Sequence, residues 1–287
     1  VLRIALPNKG RLQADVIKLL DAAGLEVRSA GERALTAKLG DEFTAIFVRA
    51  QDIPELVDRG AADAGVTGRD LVLESGATLD DRLDLGFGRC RLVIAAREGA
   101  FASVDAIADG TRVASVFPRL AARAFAERGR AVVVVPVSGA AEVSPHLGIA
   151  DVIVDLTSTG STLRTNGLVE LATVLESSAR LVARPRAEQP EEKARALDEL
   201  ELALASVVRA QGQRYLMANV PRDSLPRVRA ILPGLNGPTV VDVAGADGRF
   251  VAVHAVVPGR EVYRTIARLK ELGGEGILVT RIERLTP

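Results

Sequence analysis

The 287-residue sequence predicts an α/β protein of two lobes followed by a small βαββαβ unit. Short apolar runs alternate with segments of helical period through the first hundred residues, which is the βαβ pattern, and a second series follows. An apolar stretch at 174–183 follows the second series and reads as a strand returning to the first lobe. From Tyr215 the rhythm becomes strand, helix, two strands, helix, strand, the ferredoxin-like order, within the last 75 residues.

Taken in order, residues 2–6 form a strand broken by Pro7, Asn8, Lys9 and Gly10. Leu12, Val16, Leu19, Leu20 and Ala23 then mark one helical face that Gly24 ends. A second strand covers 43–48, and Asp52 is placed to cap a short helix with Pro54 in its first turn. Residues 62–68 give a third strand and turn, followed by a helix over 70–75. The second series has strands at 92–96, 112–114, 132–135 and 152–155, with a helix over 118–129. The longest helix is predicted over 191–211, with Leu197, Leu200, Leu204 and Val207 on one face. The last unit has strands at 215–220, 239–243, 250–257 and 277–281, helices at 225–231 and 262–272, and a hairpin at Ala246, Asp247 and Gly248. The domain boundaries that follow are 1–90 with 174–211 for the first lobe, 91–173 for the second, and 213–287 for the last unit. A cleft between lobes is the default ligand site.

Composition narrows the function classes. Apolar residues make up 48 % and charged residues 26 %, with 37 basic side chains against 37 acidic ones, so neither disorder nor a polyanion track is indicated. No nucleic-acid or membrane partner is expected. The single Cys90 allows no disulfide framework, and His146 and His254 alone make a multi-histidine metal site implausible. The sequence opens VLRIALPNKG, without signal-peptide features, and no run approaches the roughly 20 apolar residues of a membrane span, so a cytoplasmic setting is expected. Aromatics are 3 %, so a flat ligand ring would meet aliphatic side chains.

The most informative segment is ADVIVDLTSTGSTLR at 150–164. A strand ends on Asp155 and enters a loop with five hydroxyls, Thr157, Ser158, Thr159, Ser161 and Thr162, around Gly160. Backbone amides and hydroxyl donors at such a turn can cradle a monophosphate without positive charge, and the preceding carboxylate can accept from sugar hydroxyls. A polar turn capped by Asp155 is the alternative. The arrangement is similar to the phosphoribosyl pyrophosphate loop of phosphoribosyltransferases, except that Val154 stands where a second acid is usual; Asp151 is the nearest other acid and could instead be a strand-entry residue.

Together with PNKGRL at 7–12, RAQDIP at 49–54, GAADAGVTGRD at 60–70, LGFGRCRLVIA at 85–95, Glu142-Val143 and LPGLNGPT at 232–239, this loop resembles ATP phosphoribosyltransferase in its long form. The resemblance implies a two-lobed catalytic part of the periplasmic-binding-protein-like (type II) kind and a C-terminal regulatory domain. It implies transfer of a phosphoribosyl group from phosphoribosyl pyrophosphate to N1 of ATP, with magnesium (Mg2+), as the first step of histidine biosynthesis. Residues 157–162 would hold the 5-phosphate, Asp155 the ribose, and Lys9 and Glu142 would join Asp155 in catalysis. Lys9, Gly10, Arg11, Arg49 and Asp70 would meet the nucleotide; a surface pair with Asp52 is the alternative for Arg49, and a helix cap for Asp70. Asn219, Gly234, Leu235, Pro238 and Thr239 would contact inhibitory histidine, AMP would inhibit at the nucleotide site, and the chain would form homo-oligomers, dimer and hexamer. A non-enzymatic bilobal binder, or a phosphoribosyltransferase for another base, are the competing readings. Cys90 and Phe117 are expected to pack, and both histidines to be structural or at the surface.

Overall fold

A computed structural model describes the chain except residues 30–33, 233, 236, 245–247 and 287. It divides into two compact units, Val1–Glu201 and Leu202–Pro287. The first unit contains two sheets. One carries β1 (Leu2–Pro7), β2 (Val27–Ser29), β3 (Thr36–Leu39), β4 (Phe43–Val48), β5 (Ala64–Gly68), β6 (Asp80–Asp84) and β12 (Ala179–Ala183), in the order β2-β3-β4-β1-β5-β12-β6. The other carries β7 (Cys90–Arg97), β8 (Arg112–Ser115), β9 (Val133–Pro136), β10 (Val152–Thr157) and β11 (Leu168–Ser177), in the order β11-β7-β10-β8-β9.

The two lobes repeat one plan. In each, three parallel strands (β4, β1, β5 or β9, β8, β10) are followed by one antiparallel strand from beyond the crossing, β12 or β7, and then by an edge strand, β6 or β11. This 2-1-3-n-4 order is the periplasmic-binding-protein-like (type II) arrangement. It is a structural repeat without a visible sequence repeat. Central parallel strands must be apolar on both faces, since helices cover both sides. Ile4, Ala5 and Leu6 on β1, and Val152, Ile153 and Val154 on β10, are accordingly all buried.

Helices α1 (Gly10–Ala22), α2 (Ile53–Asp58), α3 (Arg69–Ser75), α4 (Pro118–Ala126) and α5 (Ser161–Thr165) follow strands of these sheets. α1 buries Val16, Leu19 and Leu20, the face that the spacing predicts. Phe117, Leu120, Ala121 and Phe125 join the second lobe's core, so Phe117 packs as expected. Phe125 is fully buried; its loss to Ala would cost about 3–5 kcal/mol. α6 (Glu191–Ala210) begins in the first unit, where Lys193 Nζ lies 2.8 Å from the buried Asp63 carboxylate, and the unit boundary falls within this helix.

The expected single return strand at 174–183 is two strands, and the boundary placed at 174 falls inside β11, which pairs with β7. Ser177 and Ser178 interrupt the apolar run, and there the chain passes from one sheet to the other. Two short apolar strands in succession have the same periodicity as one long one. β2, β3 and β6 were not predicted. β6 reads DDRLD and is a strand through its pairing with β12, on which Arg180 lies 3.5 Å from Asp81 and 3.2 Å from Asp84. The helix expected over 118–129 stops at Ala126.

The second unit has the predicted βαββαβ order: β13 (Gln213–Pro221), α7 (Leu225–Ile231), β14 (Thr239–Asp242), β15 (Phe250–Pro258), α8 (Val262–Glu271) and β16 (Glu275–Arg281). Its sheet runs β14-β15-β13-β16, fully antiparallel. Alternate residues Leu216, Ala218, Val220, Val251, Val253 and Ala255 face the core with Val228 and Leu269 from the helices. Of the predicted hairpin, Ala246 and Asp247 lie outside the described residues, as do Pro233 and Asn236 of the LPGLNGPT loop. No helix among the described residues is long and apolar enough to cross a membrane.

Candidate active site

Every candidate in the first unit lies at or just beyond the carboxyl end of a parallel strand, apart from Glu142. Lys9, Gly10 and Arg11 follow β1, Arg49 follows β4 and Asp70 follows β5, three adjacent strands in the order β4-β1-β5. That edge of an open α/β sheet is where ligands bind. Lys9 is exposed at the N-cap of α1 and makes no cap hydrogen bond; a cation there is electrostatically disfavoured without a ligand. Arg49 Nε lies 2.8 Å from Asp52 Oδ2, so the surface pair is formed and Asp52 caps nothing by its side chain. An exposed pair of this kind is worth at most about 1 kcal/mol, little enough for a phosphate to displace it.

In the second lobe the hydroxyl loop is internally organised. Gly160 N–H donates to the buried Thr157 Oγ1 at 2.8 Å, and Thr159 Oγ1 lies 3.0 Å from Ser161 Oγ. Gly160 has φ +72°, and a Cβ there would come within 2.9 Å of Arg164 Nη1 and Glu170 Oε1. The backbone angle therefore favours glycine at this turn, and a side chain there would also displace the ends of Arg164 and Glu170. Arg164 Nη1 donates to the Thr159 carbonyl at 3.1 Å, tying the loop from below, and Ser158 and Thr162 remain exposed.

Asp155 is half-buried and accepts from Leu156 N–H at 2.8 Å. Burial raises its carboxyl above the ordinary aspartate value; the Leu156 hydrogen bond opposes this, and the charge of Glu142 adds to it. Glu142 lies on a single turn at Ala141–Val143, near enough for its charge to act on Asp155. Asp151 sits at strand entry, 3.4 Å from Arg112 Nη2.

The crossing between the lobes holds a cavity of about 280 Å3, lined by Arg69, Arg89, Arg91 and Arg180, by Asp84 and Glu176, and by Cys90, Ser158, Ser177 and Ser178. It brings the hydroxyl loop, through Ser158, to the chain crossing. A second cavity of about 590 Å3 between α3 and α4 shares Arg69 and Arg180 with it, and adds Arg119, Arg123 and the aliphatic Val72, Leu73, Leu79, Leu120 and Val182. A Cβ at Gly88 would lie 3.5 Å from Leu12, so the crossing also packs against the first turn of α1, where Lys9 and Arg11 are.

Arg69, Arg89 and Arg91 were missed as site residues. The signal was present for the last two: Arg89 and Arg91 flank Cys90 in GRCRL, where the chain enters β7. Cys90 is half-buried, and its thiol is pushed up by burial and then by the charge of Asp70. That is a packed thiol and not an activated nucleophile. His146 Nε2 lies 2.8 Å from the Asn166 carbonyl, a structural contact. Asp84 is pulled upward by burial, but the Gly86 amide, Ser178, Arg180 and Arg89 together hold it below its ordinary value.

In the second unit Asn219 on β13 and Thr239 on β14 lie on the sheet face away from the helices, with β15 between them. On that face Tyr215 OH lies 2.9 Å from His254 Nδ1. Gly234 and Leu235 belong to the turn before β14, where a Cβ at Gly234 would strike the Gly237 carbonyl at 2.7 Å, and Pro238 directly precedes the strand.

Residues 49–206 match the ATP phosphoribosyltransferase family, and residues 210–284 match the HisG, C-terminal domain family. The ATP phosphoribosyltransferase of Gemmatimonas aurantiaca is 66 % identical over the whole of both chains. That of Natronomonas pharaonis is 50 % identical, again over all of both chains. Among solved structures, an ATP phosphoribosyl transferase (HisG:HisZ) complex from Thermotoga maritima superposes with a TM-score of 0.64 at 27 % identity, covering 73 % of this chain and 99 % of that one. Family matches to both units and full-length identity well above 30 % place this chain in the ATP phosphoribosyltransferase family, in the form that carries the C-terminal domain.

Proposed function

We propose that the first unit performs the family's reaction, transfer of the phosphoribosyl group from phosphoribosyl pyrophosphate to N1 of ATP, as the first step of histidine biosynthesis. The observation that carries this is the hydroxyl loop at the end of β10, with Gly160 in the left-handed region, facing an arginine-lined crossing. The N1 lone pair forms the new bond to the anomeric carbon while the bond to pyrophosphate breaks and its electron pair leaves with that group. N1 is unprotonated at neutral pH, so no general base is required, and catalysis rests on alignment and on stabilising charge.

On this reading Thr157, Ser158, Thr159, Gly160, Ser161 and Thr162 hold the 5-phosphate, and Asp155 with Glu142 faces the ribose, where positive charge develops. Lys9, Gly10, Arg11, Arg49 and Asp70 meet the nucleotide, and Lys9 meets the departing charge. A protein cage for magnesium does not fit, because no group of three acidic, histidine or cysteine side chains is placed to hold an ion among the described residues. Magnesium would instead travel with the diphosphate, whose oxygens are its natural ligands.

The second unit is read as a histidine sensor built on Asn219, Gly234, Leu235, Pro238 and Thr239, with AMP competing at the nucleotide site and dimers and hexamers as the assembled forms. Feedback requires only that histidine bind one arrangement more tightly than the other. The testing experiment is pyrophosphate release. It is expected only with ATP, phosphoribosyl pyrophosphate and magnesium together; equal release with another purine acceptor would overturn the specific reading.

A further inference from the structure

Asp70 is held by a residue 107 positions away in sequence. Ser177 Oγ donates to Asp70 Oδ1 at 2.5 Å, and the same oxygen accepts from Asp70 N–H at 3.1 Å. Both residues are 5 % exposed. The neighbouring positions repeat the connection, since Arg69 N–H donates to the Ser178 carbonyl at 3.0 Å. Gly68 makes the arrangement possible: a Cβ there would stand 2.4 Å from Asp70 Oδ1, so any side chain would push the carboxylate out of this position. Ser177 is the last residue of β11, where the chain leaves the second lobe, and with Arg69 it lines the cavity at the crossing.

We propose that Ser177 is a positioning residue of the transfer reaction: its hydroxyl fixes the Asp70 carboxylate, and with it the Arg69–Asp70 turn, in the attitude that meets the nucleotide. The proposal rests on the reading of Asp70 as a nucleotide contact. A serine that merely satisfied a helix-start amide would contribute to stability and leave substrate preference alone. The bidirectional hydrogen bond does more, because it fixes the carboxylate's rotamer as well as the amide. It also ties a nucleotide-facing turn of the first lobe to the strand by which the second lobe departs, so nucleotide binding and lobe placement share one contact.

The test uses the full-length chain with Ser177→Ala, Asp70→Asn and the double substitution. Pyrophosphate release is measured with ATP and phosphoribosyl pyrophosphate varied separately, and thermal midpoints are followed alongside. A lost hydrogen bond to a charged group corresponds to a roughly tenfold or larger effect. Ser177→Ala is expected to raise KM for ATP about that much, leave KM for phosphoribosyl pyrophosphate within about twofold, and add nothing in the Asp70→Asn background. Equal rises in both KM values with a falling midpoint, or losses that add in the double variant, overturn the proposal in favour of a purely structural serine. Normal kinetics for Ser177→Ala beside an impaired Asp70→Asn also overturn it, while leaving Asp70 in the site. An Asp70→Asn enzyme with unchanged KM for ATP removes Asp70 from the nucleotide site and the proposal with it.

Discussion

Glu74 and Arg119 clasp the two lobes in both directions. The Glu74 carboxylate, on α3 of the first lobe, accepts from Arg119 N–H and Leu120 N–H at the start of α4 in the second, each at 2.9 Å. Arg119 Nη1 returns a hydrogen bond to the Ser75 carbonyl at 2.8 Å, at the other helix's carboxyl end. Each charge thus sits at the helix end whose dipole favours it.

Glu74→Ala should therefore leave two first-turn amides of α4 without their acceptor. By analogy with lost caps, stability should fall by about 1–2 kcal/mol. Urea unfolding of Glu74→Ala beside wild type checks this; an unchanged midpoint would show that water replaces the carboxylate at no cost.

Gly160→Ala tests the phosphate loop. A left-handed backbone angle costs a residue with Cβ about 1–2 kcal/mol, and here the new methyl also meets Arg164 and Glu170 at 2.9 Å. We expect KM for phosphoribosyl pyrophosphate to rise roughly tenfold or more, with KM for ATP much less affected. Initial rates over a matrix of both substrates distinguish the two.

Asp155→Asn should trade activity for stability. The native carboxyl is held above its unfolded value by burial, with Glu142 adding to the effect, so the folded protein binds its proton more tightly than the unfolded chain does. Above the unfolded value, folding penalises the charged form. As pH falls through the raised value and then below about 4, the penalty disappears. Asp155→Asn should therefore melt higher than wild type at pH 7, lose that advantage toward pH 4, and turn over slowly throughout. Melting curves across this range, with rates at pH 7, check both parts; an advantage that grows toward low pH would reverse the assigned direction.

Asn219→Ala tests the sensor. The residue lies on the open face of the second unit's sheet, so its truncation should leave uninhibited turnover near wild type while the histidine needed for half inhibition rises roughly tenfold. Dose–response curves for histidine, taken at fixed substrate, show whether this face is the sensor.

Much of the fold was legible because its central strands are buried on both faces and its helices carry one apolar stripe. β1 and α1 announce themselves in this way, and so does the whole of the last unit. What escaped detection was set by pairing at a distance. β6 is a strand through its pairing with β12, far along the chain, whose Arg180 also meets Asp81 and Asp84. The division between β11 and β12 is a change of sheet, which periodicity does not register. The same limit governs the site. The hydroxyl loop is contiguous and readable, whereas the charge of Glu142 reaches Asp155 only through folding, and Ser177 meets Asp70 only because β12 pairs beside β5.

The place of β12 also dictates an order of events during synthesis. Among the described residues β6 pairs only with β12, and β5 has β12 on one side, so the first lobe's sheet cannot close until residue 183 is available. The second lobe lies wholly between, its first and last strands, β7 and β11, paired with each other and its ends meeting at Cys90 and Ser177. On a ribosome the inserted lobe can thus reach its native pairing first, while one edge of β5 stays open and β6 waits without a partner. That waiting edge is the exposure most open to misassociation. Slow elongation between the two lobes' completion should lower the yield of folded chain more than slow elongation anywhere after α6 has been made.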